Sequence, residues 1–430
     1  MTWGILGASM VMLMVTGAVL GGALGLTGLL LLQFQAGDAT SLAVQAVWNS
    51  FTDFTLSAVP LFIFLGDILL ASGISGRIYN AMTPLFHRLP GKLLHTNIAV
   101  STVFGAVSGS SSSTAAAVGS VGYPELVKRG YDPATVIASL AAGGTLGLLI
   151  PPSLSLLIYG ATQDVSIGKL FLAGIVPGLM IAGFFSIYIA LLCTFRKGLT
   201  PADVERPGWV EILRGLKEVW PLPILIFFVL GTIYMGLATT TEAAALGVIA
   251  AIVLGFLWGD LTRKKLWLSF KSSVLMFGTI AMVLLGTLIL AQAISILGLP
   301  KEMVTWVSEM GLSRYEVLLA IVLVYLVLGC FFDGISLLLM TLPMAFPLMM
   351  SMQFDPVWFG IIVTILMEVG MITPPVGLNL FVLVTVAKRQ VPLGTAAWAT
   401  VPYWLIMLGT VALFTVFPDI VLFVPNLLFQ

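Results

Sequence analysis

Two short stretches hold the residues whose types and spacing point to chemistry. Residues 143–153 read GGTLGLLIPPS, and residues 368–377 read EVGMITPPVG. Each sets a glycine four residues before a proline pair: Gly147 before Pro151 and Pro152, Gly370 before Pro374 and Pro375. Proline has no backbone N–H and clashes with the turn before it, so an apolar helix breaks there. The carbonyls that the break frees cannot stand bare in lipid. With nearby hydroxyls they are suitable ligands for a desolvated hard ion such as sodium, by extension from other hard cations. One such motif reads as readily as a plain proline kink; two in matched positions argue for a site.

A serine run adds hydroxyls. Ser110 to Ser113 are flanked by Ser108 and Thr114 in SGSSSST. These residues line a polar site, or with Gly105, Gly109 and Gly119 they form a small-residue face that lets helices approach closely. Four acids sit in apolar surroundings: Asp67, Glu242, Asp333 and Glu368. An acid at a membrane helix centre costs roughly 2.5–3.5 kcal/mol on insertion scales, so each needs a reason. Asp333, beside Gly334, reads as a substrate or polar-lining group, with a local helix cap as the alternative. Glu368 is an acceptor for neighbouring amides or a coupling group. Glu242 follows Thr239, Thr240 and Thr241 and marks a helix start. Asp67 faces the bundle interior. His87 and His95 are too few for a metal site, and no Walker motif or catalytic set is present, so the chain does not read as an enzyme. Cys193 and Cys330 lie inside apolar runs, which argues against a disulfide framework or zinc.

The elements that must position these groups are membrane helices. Of the 430 residues, 59% are hydrophobic and only 9% charged, against about 25% charged in soluble domains. Mean hydropathy is +1.10. A net charge of zero excludes nucleic acid as a partner. Apolar runs cover roughly residues 4–34, 54–72, 93–122, 133–160, 166–195, 221–258, 272–299, 315–350, 356–386 and 394–426. About 20 residues cross the hydrocarbon, so 4–34 and 221–258 are expected to hold two spans each. Lys92 and Lys128 bound one apolar run, and the positive-inside rule puts both on the cytoplasmic side. A re-entrant hairpin with its tip at Ser108–Thr114 satisfies that; a single span does not. A second hairpin, bent near FFDG at 331–334, would enter from the opposite side.

The two proline stretches also share a register. Asp132 and Asp355, Pro133 and Pro356, Gly147 and Gly370, and both proline pairs are all 223 residues apart. LGDILLA at 65–71 lies against LGTLILA at 285–291, and ALG at 23–25 against ALG at 245–247. The expected fold class is therefore an all-α polytopic membrane protein built as an inverted repeat, residues 1–219 and 220–430. The first copy would hold a hairpin at about 93–127 and a broken helix at about 132–160. The second would hold a hairpin at about 315–352 and a broken helix at about 355–386. Paired broken helices in inverted copies mark secondary transporters. A channel-like pore and an intramembrane enzyme are the competing classes. The first needs a continuous polar file and the second a paired catalytic set.

GGTLGLLIPPS, GLATTTEAAALG (236–247) and MITPPVGLNLFV (371–382) resemble the large membrane subunit of tripartite ATP-independent periplasmic (TRAP) transporters, over essentially the whole chain. The resemblance implies an elevator-type sodium symporter of organic acids in the bacterial inner membrane. Its implied partners are a small four-helix membrane subunit, read as a separate chain, and a periplasmic substrate-binding protein, with membrane lipid around it. The alternative is an ion-coupled transporter that needs no binding protein. The TRAP resemblance implies Na+ at two places: Gly105, Ser108, Gly147, Ile150 and Pro152 in the first copy, and Gly329, Gly370, Thr373 and Val376 in the second. It places the organic acid near Ser110, Ser153, Ser155, Asp333 and Asn379. The implied cargo is sialic acid or a C4-dicarboxylate-like anion, and an acidic Asp333 tilts the reading to the hydroxyl-rich sugar acid. Both termini are expected on the periplasmic side.

Overall fold

The computed structural model describes residues 4, 7–9, 12, 19–201 and 208–428. Every regular element among them is helical. Among the described residues seven helices are long and apolar enough to cross a membrane, including Pro133–Thr162 and Ile167–Phe195. An eighth is gained if Thr40–Phe51 and Thr55–Ala71, which meet at 61°, count as one bent span. The chain is a multi-pass membrane protein. The expected pair of spans within 4–34 falls largely outside the described residues; Leu20–Phe34 is a single helix.

One helix organises the scaffold. Arg263–Ile296 runs for 34 residues without a break, about 51 Å at 1.5 Å per residue. That is well over the ~30 Å hydrocarbon layer. Leu20–Phe34 lies along it through Gly21, Gly25 and Gly28. A Cβ at Gly28 would stand 2.7 Å from the Leu290 nitrogen, and one at Gly25 would stand 3.4 Å from the Gly286 Cα. Small residues at this spacing let the two backbones meet. The helix Ala58–Ala71 joins the long helix by a polar contact: the Ser273 hydroxyl donates to Asp67 Oδ2 at 2.7 Å. Thr240–Leu257 starts at a capping box, in which Thr239 and Glu242 satisfy each other's backbone N–H. That is the helix-start role read from its sequence.

Two hairpins and two interrupted helices make up the part that carries the site. The first hairpin pairs Leu93–Ser108 with Ser111–Lys128, turning at Gly109 with φ 61°. The second pairs Arg314–Gly329 with Gly334–Ser351. The first interrupted helix runs Pro133–Leu149 and resumes at Leu154–Thr162; the second runs Pro356–Ile372 and resumes at Leu378–Val386. Their starts are built alike. Asp132 and Asp355 are N-caps, and the proline that follows each occupies the first helical turn, where its missing N–H costs nothing.

Candidate transport site

Each interrupted helix crosses the first arm of its hairpin at a glycine pair. A Cβ on Gly105 would lie 2.8 Å from the Gly147 Cα, and one on Gly329 would lie 3.0 Å from the Gly370 Cα. The prolines fix which carbonyls are left over. In an unbroken helix Gly147 and Leu148 would accept from residues 151 and 152, but both are proline. The hydroxyls of Ser153 and Ser155 both reach the Leu148 carbonyl. The same count frees Met371, ahead of Pro375, whereas Gly370, ahead of Pro374, accepts from Thr373 N at 3.3 Å. Hydroxyls gather beside the first crossing: Ser108 Oγ lies 2.6 Å from Thr114 Oγ1, which donates to the Ser110 carbonyl at 2.8 Å. Beside the second, the Thr373 hydroxyl donates to Val369 O at 2.6 Å.

The two hairpin tips face each other across a cleft of about 270 Å³. Ser110, Ser111 and Ser112 form one wall, Asp333 and Ser336 the other, and Thr279 of the long helix a third. Each tip starts a helix, and the two caps differ in charge. Ser110 caps the first by accepting from Ser113 N, and Asp333 caps the second by accepting from Ser336 N at 3.1 Å. Unpaired N–H groups and the helix dipole make such starts attractive to anions. The serine cap leaves that attraction intact, whereas the aspartate cap offsets it.

Behind the first tip is a buried polar node. Ser111 donates to Glu368 Oε2 at 2.7 Å, and Asn379 Nδ2 donates to Ser111 Oγ at 2.6 Å. Glu368 and Asn379 are fully buried. Ser111 thus touches the cleft on one side and the second interrupted helix on the other.

Residues 8–420 match the family model described as the DctM component of the tripartite ATP-independent periplasmic transporter. The chain belongs to that family. It is 34% identical to the C4-dicarboxylate TRAP transporter large permease protein DctM of Pseudomonas aeruginosa, covering 94% of both chains. It is 32% identical to the ectoine/5-hydroxyectoine TRAP transporter large permease protein UehC of Ruegeria pomeroyi, covering 99% of this chain and 97% of that one. Among solved structures, the YdaH transporter of Alcanivorax borkumensis shares the fold, with a TM-score of 0.62 at 17% identity over 90% of each chain. The chain is thus a transporter permease.

Against this frame the residues named from sequence separate into groups. Gly105, Ser108 and Gly147 meet at the first crossing, with Ile150 and Pro152 buried just beyond. Gly329, Gly370 and Thr373 meet at the second, and Val376 follows on an exposed turn. Of the five substrate candidates, Ser110 and Asp333 line the cleft. Ser153, Ser155 and Asn379 do not: the serines bond Leu148 O and each other, and Asn379 bonds Ser111. Asp333 is at once a lining group and a cap, so the two readings of it coexist. Ser336 and the stripe Met276, Thr279, Ile280 and Val283 complete the cleft. Ser336 is legible as the third residue after a capping aspartate. The stripe is mostly apolar and carries no sequence signal.

Proposed function

We propose that the chain imports a small organic acid across the bacterial inner membrane, driven by sodium and supplied by a periplasmic binding protein, with a small membrane subunit beside it. The observation that carries this reading is the pair of unlike caps facing one cleft. The substrate carboxylate goes to the Ser110 end, where helix N–H groups stay free. The other end offers the Asp333 carboxylate, an acceptor for hydroxyl or N–H groups. A hydroxylated or nitrogen-bearing monocarboxylate, such as a sugar acid or an ectoine-like zwitterion, fits better than a dicarboxylate. The second acid group of a dicarboxylate would meet Asp333.

Sodium is assigned to the two glycine crossings, held by the freed carbonyls with Ser108 and Thr373. Two more cavities lie along the long helix, one sharing Ile280 with the cleft, the next sharing Leu284 with that one and lined by Thr162, Gln163 and Ser295. Arg263, Lys264 and Lys265 mark the other end of that helix as cytoplasmic by the positive-inside rule. We read this row of cavities as an approach for substrate from the outside. In an elevator cycle the hairpins and interrupted helices move as a unit past the long helix. The test is reconstitution of the complete complex in potassium-loaded liposomes. Uptake should follow an inward sodium gradient and ignore ATP. Equal uptake without external sodium, or a need for internal ATP, defeats the proposal.

A further inference from the structure

We infer that Ser111, Glu368 and Asn379 form a further sodium site, one that joins the two halves of the chain; this rests on the sodium-coupled reading above. Glu368 and Asn379 are 0% exposed and Ser111 is 1% exposed. The hydrogen bonds run in one direction, from Asn379 Nδ2 to Ser111 Oγ and from Ser111 to Glu368 Oε2. A serine has one proton to give, and here Glu368 takes it. Two buried acceptors are left without a hydrogen-bond partner, Glu368 Oε1 and Asn379 Oδ1. No Lys, Arg or His forms an ion pair with Glu368 among the described residues. An ionised carboxylate so buried, with one hydrogen bond, is far short of the compensation that it needs.

A carboxylate so buried is neutralised by a proton or by a cation, and the open valences beside it are oxygens. A carboxylate oxygen, an amide oxygen and the remaining lone pair of a hydroxyl are hard ligands. One carboxylate matches a monovalent ion, whereas calcium sites gather several. The site is not duplicated. The position 223 residues before Glu368 is Thr145, whose hydroxyl bonds its own helix at Ala142 O, 2.6 Å away. Glu368 lies two residues before Gly370, and Ser111 three after Ser108, so the node stands between the two crossings. Since Ser111 also lines the cleft, an ion here would fix the cleft wall to the opposite half of the chain.

The test is the ratio of sodium to substrate carried, obtained from reversal potentials of the complete reconstituted complex. Glu368→Gln keeps the size and the bond from Ser111 but removes the charge. The expected result is one sodium ion fewer per substrate than in the wild type. A sodium-dependent wild type with the same ratio in Glu368→Gln overturns this inference alone. A wild type indifferent to sodium overturns the transport reading as well. If Glu368→Gln does not reach the membrane, Ser111→Ala in the same complex decides. Its half-saturation for sodium, measured at saturating substrate, should rise by about tenfold. An unchanged sodium half-saturation overturns the site.

Discussion

Ile150, Pro151, Pro152 and Ser153 of the first break are all buried, whereas Pro374, Pro375 and Val376 of the second are exposed. The two breaks repeat one Gly-x-x-x-Pro-Pro pattern, so the difference comes from what packs on them. Helix Ile167–Phe195 lays Gly174 on the Leu149 carbonyl and Gly178 on the Ile150 side chain, with no room for a Cβ at either. The first hairpin closes the other side, its Gly109 carbonyl accepting from Leu154 N at 3.2 Å. At the second break Thr373 is half-buried and Val376 is 39% exposed. Equal motifs thus stand in unequal surroundings. An ion exchanging with solvent in this conformation would do so at the second break, while the first stays closed.

The largest effects should come from the glycine crossings, where the two halves are most alike. An alanine Cβ at Gly370 would fall 2.7 Å from the Gly329 Cα and carbonyl oxygen, and at Gly147 it would fall 2.7 Å from the Ser110 carbonyl. Neither backbone neighbour can turn aside, so overpacking of about 1–3 kcal/mol or more is expected in each. Gly147→Ala and Gly370→Ala should both lose uptake and melt earlier. Full uptake in either would show that its crossing is not needed.

The hairpin caps come next, where the halves differ in charge. Asparagine caps helices as well as aspartate, so Asp333→Asn should keep its melting temperature. It should lose charge-assisted bonds to substrate, roughly 1.5–3 kcal/mol, or about a tenfold to hundredfold rise in uptake half-saturation. Wild-type affinity with lowered stability would return Asp333 to the scaffold. Ser110→Ala removes the neutral cap, costing about 0.5–2 kcal/mol, and should show chiefly in thermal stability. The smallest effect is expected far from both breaks, at the exposed capping box. Glu242→Gln should leave uptake unchanged and lower the melting temperature slightly.

The all-helical, multi-pass class and the family were legible because apolar length, proline and glycine act locally. Asp132-Pro133 and Asp355-Pro356 announce helix starts in the sequence itself, and the structure caps both helices there. The partners of the polar side chains were not legible. The prolines announce Leu148 as a freed acceptor, but not that the chain turns so that the Ser153 and Ser155 hydroxyls reach it. Ser111 and Glu368 are 257 residues apart in the chain, and only tertiary packing makes them neighbours. The resemblance sets Asn379 near the substrate, and its bond to Ser111 of the opposite hairpin is likewise a contact that only packing supplies.

The most direct test of sodium at the breaks is thiol modification of Val376→Cys compared with Ile150→Cys, in a background without Cys193 and Cys330. In purified protein Val376→Cys should react readily with a small polar reagent, and Ile150→Cys hardly at all. Sodium should slow the Val376→Cys reaction saturably, and potassium at equal ionic strength should not. A reaction rate at Val376→Cys that is the same in sodium and potassium would contradict the account.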